Sequence, residues 1–402
     1  MMRFRSIAFA AALGLSVAGA AHAQKKYDPG ASDTEIKLGQ TMPYSGPASA
    51  YGAQGKSETA YFKMVNARGG INGRKITFIS LDDGYSPPKT VEQTRKLVEE
   101  DQVLALVNSI GTPTNTAVHK YLNQKKVPQL LVSTGAAKWN DAKNFPWTTP
   151  GYPPYEAEAR VYAKHILASH PDAKIGLIYQ NDDFGKDYLK GFKEALGPGM
   201  SKIVKEVSYE ISDPTVDSQI IALKSSGANV LFTMTTPKFG AQVIRRVAEL
   251  GWKPAHYIVS VSASQSQALE PAGLQNAVGL ITASTLKEPS DPTWDNDPGM
   301  LEYRKFMKEW FPDGDPNNTG IVLGFVVGQL LEHILKGAGD NLTRENLMKQ
   351  ATDIRDLSLP LLLPGVTLTV TPQDLNPFHT FRTMRFDGKR WVLFGDPIAV
   401  GR

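Results

Sequence analysis

The chain has no cysteine in its 402 residues. Structural disulfides, thiolate zinc sites, iron–sulfur ligation, cysteine nucleophiles and a lipid anchor on an N-terminal cysteine are therefore excluded. It also lacks an excess of one charge. The 44 basic and 40 acidic residues give a net charge of +4, too even to mark a nucleic-acid binder. Catalytic signatures are missing as well: there is no Gly-x-Ser-x-Gly, no His-Glu-x-x-His and no Gly-x-x-x-x-Gly-Lys-Ser/Thr. Asp295-Asn296-Asp297 and Asp313-Gly314-Asp315 lack the later glutamate of a calcium loop. The seven histidines are scattered, and His165 and His170, five apart near a helix end, read as solvated surface. No catalytic residue, metal site or cofactor is expected.

What is present is globular. Apolar residues make up 41% and charged residues 21%, enough for two domains of about 150–200 residues each. Arg3 and Arg5 precede an apolar run from Ile7 to Ala20, and Ala21-His22-Ala23 has the small residues a signal peptidase reads. Residues 1–23 are expected to be a signal peptide cleaved after Ala23, since the run falls short of the roughly 20 residues a bilayer needs. Cleavage leaves a net charge of +2. No other stretch reads as membrane-spanning; Leu357 to Val370 is broken by Pro360, Pro364 and Gly365.

From Asp33 onward, short apolar strands alternate with amphipathic helices. Glu35–Met42 alternates with period two. Val103–Val107 is continuously apolar, as suits a strand buried on both faces of a parallel sheet. The βα series restarts after Pro153-Pro154, which implies two lobes of similar design. Arg382 to Phe394 reads as a hairpin turning at Asp387-Gly388. The remaining C-terminal segments carry too little strand for a third lobe, so the backbone is expected to cross between the two lobes several times.

Ligands of such sheets sit beyond the carboxyl ends of the strands. Asn108–Thr114, with Ser109, Gly111 and Thr112, follows one strand and opens a helix whose free amides suit an anion. Ser133-Thr134-Gly135-Ala136 follows the next strand. Tyr44, Tyr51, Tyr152, Tyr155 and Phe184 lie in similar loops and could enclose an apolar ligand body. Helix capping is the commoner use of such hydroxyls. Asp82-Asp83 and Asp182-Asp183 end strands and are read as turn caps, not as a metal or acid/base pair.

With those residues placed, the chain resembles the periplasmic substrate-binding proteins of ABC importers for branched-chain amino acids, the leucine/isoleucine/valine-binding proteins. The likeness runs from Ile36 to Pro397. It rests on Leu38-Gly39-Gln40-Thr41-Met42-Pro43-Tyr44-Ser45-Gly46-Pro47, Val65-Asn66-Ala67-Arg68-Gly69-Gly70-Ile71-Asn72-Gly73, Leu81-Asp82-Asp83, Asn181-Asp182-Asp183-Phe184-Gly185 and Phe386-Asp387-Gly388.

The resemblance implies an α/β type I periplasmic binding protein: two doubly wound parallel-sheet lobes joined by three hinge crossings, near Pro150, Thr282 and Pro360. Lobe 1 would comprise 24–150 plus 283–358, and lobe 2 would comprise 151–282 plus 359–402. It further implies a monomer freely diffusing in the periplasm, closing on a small ligand and delivering it to a membrane permease with its ATPase subunits. The Ser109–Thr114 loop, Thr134 and Ala136 correspond to the family's carboxylate site. Tyr51, Phe184, Thr235 and Ser262 complete the pocket, with Ser260 and Val261 beside them.

The family's two ammonium-binding acids fall on Tyr155 and on Val261 or Ser262 here. An ammonium without an anionic partner costs several kcal/mol. The expected ligand is therefore a carboxylate without an ammonium: aromatic, phenylpropanoid or a short fatty acid. A branched-chain amino acid held by Asp182 or Asp183 is the alternative. An exported α/β enzyme using Asp82 or Asp182, and a receptor ectodomain, are remoter ones.

Overall fold

The computed structural model describes residues 25–400. The expected signal peptide lies outside the described residues. Glu35–Met42 forms the second strand of a five-stranded sheet in the order 75–82, 35–42, 105–107, 129–132, 148–150. Every pairing in it is parallel. Ala105–Val107 is continuously apolar and Gln129–Val132 nearly so, and both are buried, as a sheet covered on both faces requires.

A second sheet of seven strands runs in the order 391–399, 380–386, 281–284, 255–258, 230–234, 175–180, 203–209. Its five strands from 203–209 to 281–284 are parallel. The C-terminal hairpin Thr380–Phe386 and Trp391–Ala399 adds to it antiparallel. Each sheet has a switch point, where one strand feeds neighbours on both sides: Glu35–Met42 in the first and Ile175–Gln180 in the second.

The 20-residue helix Thr319–Ala338 is long and apolar enough to cross a membrane, with mean hydropathy 1.4, so the expectation that no such stretch exists was too broad. It is largely buried in the first core, against helix Gly52–Ala67. Gly328 permits that approach, because a Cβ there would come within 2.5 Å of the Tyr61 ring. Ser57 Oγ donates to the Ile321 carbonyl at 2.8 Å.

The chain passes between the cores three times. Thr148–Pro150 pairs in the first sheet and helix Tyr155–Ser169 packs in the second core. Ile281–Ser284 lies in the second sheet, whereas Leu286 is in the first core. The last passage differs from the expectation of a crossing near Pro360. Leu359, Leu363, Val370 and Phe378 all bury in the first core, and Phe381 in the second. Residues 359–378 therefore pack with the first lobe, held there by the antiparallel pair Ile354–Leu357 and Leu368–Val370. The last two crossings run side by side, with Leu363 N donating to Thr285 O at 2.9 Å.

His165 and His170 are not free surface. His165 Nδ1 and His170 Nε2 meet the Tyr257 hydroxyl at 2.8 and 3.1 Å. The helix ends at Ser169, so helical phase no longer separates them.

Candidate functional site

The loops at both switch points face one another across a cavity whose free space, together with its opening to solvent, is about 630 Å³. Such a volume suits a small ligand.

On the first-lobe side, Ile110, Gly111 and Thr112 lead into helix Thr112–Lys125. Gly111 has φ +102°, and a Cβ there would strike Thr114 and the Tyr85 ring at 2.5 Å. Glycine alone permits that turn. Pro113 contributes no amide, while the Thr112 and Thr114 amides have no acceptor among the described residues. They add to the positive end of the helix. Ser133 Oγ stands beside them, accepting from Gln54 Nε2 at 3.1 Å. Gln54 also donates to Asn108 Oδ1.

Tyr51, Tyr85, Tyr152, Tyr155 and Phe184 supply the aromatic walls. The Tyr155 and Phe184 rings meet edge-on, with centroids 5.2 Å apart. Burial pushes the Tyr155 phenol up to about 12, so it stays protonated and able to donate.

On the second-lobe side stand Thr236, Ser260, Val261 and Ser264. Ser260 is spoken for: its amide and hydroxyl donate to Glu158 at 2.7 and 2.8 Å. Glu158 also accepts from Tyr162 and Tyr188. Burial raises its pKa, against the pull of those four donors. Glu158 thus fixes the wall and does not line it. By contrast, Thr236 Oγ1, Ser264 Oγ and Thr319 Oγ1 are buried atoms without a partner, an arrangement that costs stability unless a ligand or water satisfies them.

Of the expected site residues, Tyr51, Gly111, Thr112, Ser133, Tyr155 and Phe184 line the cavity together. The others stand behind it. Tyr44 bonds Ser80 at 2.6 Å. Ser109 Oγ accepts from the Thr41 amide at 3.0 Å. Thr134 bonds Thr112 at 2.6 Å, and the Ala136 amide reaches Thr134 Oγ1 at 3.4 Å. Gly135 lies against the Pro153 carbonyl. Thr235 is fully buried, and Ser262 donates to its carbonyl. These residues shape the loops from within.

Gln54, Tyr85, Gln267, Thr319, Gly320 and Leu323 line the cavity and were not anticipated. Tyr85 follows a strand end, which the strand-end rule could have found. Gln54 and Thr319 sit in the first turns of helices that flank the cleft, a position no loop rule identifies.

Among the described residues no acidic or basic side chain lines the cavity. Asp182 caps helix Asp183–Leu196 and accepts from Gln180 at 2.6 Å. Asp183 pairs with Lys138 across the mouth at 2.5 Å. Asp82 and Asp83 accept from the amides of their own turns, and Asp82 also from the Ser45 amide of the neighbouring loop. All four thus act as caps and pairs. Two more bonds close the lobes on each other: Ala137 N to Asp187 Oδ2 at 2.8 Å, and Gln267 Nε2 to the Ala50 carbonyl at 2.6 Å. Among the described residues no group of three histidines or acids could hold a metal.

Two α/β lobes closing on one cavity at their switch points define a bilobal binding protein. The chain belongs to the periplasmic binding protein family, whose model matches residues 35–390. Among curated relatives, it is 29% identical to Leu/Ile/Val-binding protein homolog 3 of Brucella melitensis over 56% of this chain and 58% of that one. It is 22% identical to homolog 7 of Brucella abortus over 92% and 94%. Its fold matches a Thermus thermophilus branched-chain amino acid ABC transporter protein with bound valine, at TM-score 0.81 and 16% identity, covering 92% and 97%. A fatty acid ABC transporter substrate-binding protein from Thermomonospora curvata matches at 0.74 and 20%, covering 93% and 95%.

Proposed function

We propose that this chain is the exported, cleft-closing binding component of an ABC importer, and that its ligand is a small carboxylate without an ammonium beside the acid group. The observation that carries this reading is the absence of any charged side chain from the cavity wall. A carboxylate finds helix-start amides and hydroxyls there, which stabilise an anion without a cation. An adjacent ammonium finds no anion and would lose several kcal/mol of hydration uncompensated. The aromatic walls favour an aromatic or phenylpropanoid acid.

No chemistry is involved. The ligand enters an open form, and contacts from both lobes select the closed one. Delivery goes to a permease and its ATPase subunits. Cleavage after Ala23, leaving Gln24 first, is checked by mass spectrometry of the exported protein.

The second reading, a hydrophobic amino acid, is favoured by the names of the relatives, which are Leu/Ile/Val-binding protein homologues. Isothermal titration of the mature protein with leucine, benzoate and coumarate separates the two. Tight leucine binding with no response to the acids defeats the first reading.

A further inference from the structure

A second chamber adjoins the cavity. It lies near the hinge, has about 490 Å³ of free space counting its opening, and shares Tyr152, Ser260, Thr319 and Leu323 with the first. Apolar surface from Ala263, Leu286, Phe381 and Met384 forms much of its wall. One group in it can carry charge: Glu288, 5% exposed. Its Oε2 is fully buried with no partner. A carboxyl in that state is unsatisfied whichever form it takes.

Its neighbours do not supply the missing partner. Lys287 turns away, to Asp297 at 2.7 Å and the Pro360 carbonyl at 2.8 Å. Arg390 approaches Asp291 at 3.7 Å. Asp291 repels a charge on Glu288, and a charged Glu288 in turn opposes ionisation of the buried Tyr303. Burial, then Asp291, pushes the Glu288 carboxyl up to about 8.

We infer that the hinge chamber is a second ligand subsite, in which Glu288 receives the amine end of an amino carboxylate whose amine lies several bonds from its acid group. The two chambers then offer complementary ends: helix-start amides and hydroxyls for the carboxylate, and Glu288 for the remote ammonium. Only a remote amine meets both, because nothing anionic lines the first cavity. This inference rests on the carboxylate reading above. On binding, the ammonium lowers the Glu288 pKa and the carboxyl releases its proton to solvent.

Isothermal titration of the mature protein with matched pairs tests it: hexanoate against 6-aminohexanoate, and 4-methylbenzoate against 4-(aminomethyl)benzoate. In at least one pair, the amine is expected to bind about tenfold or more tighter, as one charge-assisted bond implies. At pH 7 the heat should vary with buffer ionisation enthalpy, reporting release of close to one proton. Glu288→Gln should abolish both effects while leaving the plain acid's affinity unchanged, which also verifies its fold. Plain acids that bind with no amine gain, or a gain that survives Glu288→Gln, overturn the subsite and leave the carboxylate reading standing. Leucine binding with no response to any of the four compounds overturns both.

Discussion

The hydroxyls of Thr112 and Thr134 lie 2.6 Å apart in the buried wall of the cleft, and only Thr112 reaches the cavity. Thr134 therefore acts by holding Thr112. Thr112→Val should weaken carboxylate binding by about tenfold, the loss of one hydrogen bond to a charged group. Thr134→Val should cost less, about threefold, by freeing the Thr112 rotamer. Titration calorimetry with one fixed ligand checks the order; equal losses would place Thr134 in direct contact.

The mouth of the cleft is held by Lys138 with Asp183 and by Asp187 with the Ala137 amide. Asp187→Ala combined with Lys138→Ala should shift the empty protein toward an open form without touching the cavity. Small-angle scattering should report a larger radius of gyration without ligand. Ligand affinity should fall a few-fold, about 1 kcal/mol for bonds this exposed.

The helix contact at Gly328 is a matter of packing. Gly328→Ala places its Cβ against the Tyr61 ring carbons at 2.5 Å, and relieving that overlap costs about 1–3 kcal/mol. Thermal denaturation should show a clearly lower midpoint. An unchanged midpoint would mean that the two helices can part freely.

Glu288 makes stability depend on pH. Its carboxyl, pushed up to about 8 in the folded chain, titrates near its ordinary 4.5 when unfolded. The folded state holds the extra proton between those values, so stability is full below about 4.5 and falls as pH rises toward 8. The difference is on the order of 3 kcal/mol at pH 7. Denaturant titrations of the empty protein from pH 4.5 to 8 should show the wild type losing stability relative to Glu288→Gln. Parallel curves would remove Glu288 from the buried chamber.

The βα rhythm was legible because strand and helix periods are local. Glu35–Met42 has the bounds its alternation suggests, and helix Tyr155–Ser169 begins directly after Pro153-Pro154, where the second series restarts. Which core an apolar stretch joins is not local. Leu359 to Phe378 reads alike for either lobe, and only its pairing with Leu286 and its burial in the first core decide. The same holds at the cleft. Ser133 and Thr134 are adjacent hydroxyls in one turn, yet one lines the cavity and the other does not.

The sequence by itself determined the exclusion of cysteine chemistry, the two α/β series, the family likeness and the strand-end loops that build the cleft. Residue type and short spacing carry all of these. Tertiary structure decided which hydroxyls face the ligand, which acids are already paired, and that Glu288 stands alone beside the cleft. Those outcomes depend on what distant segments bring to each group, and burial without a partner is a property of the assembled lobes.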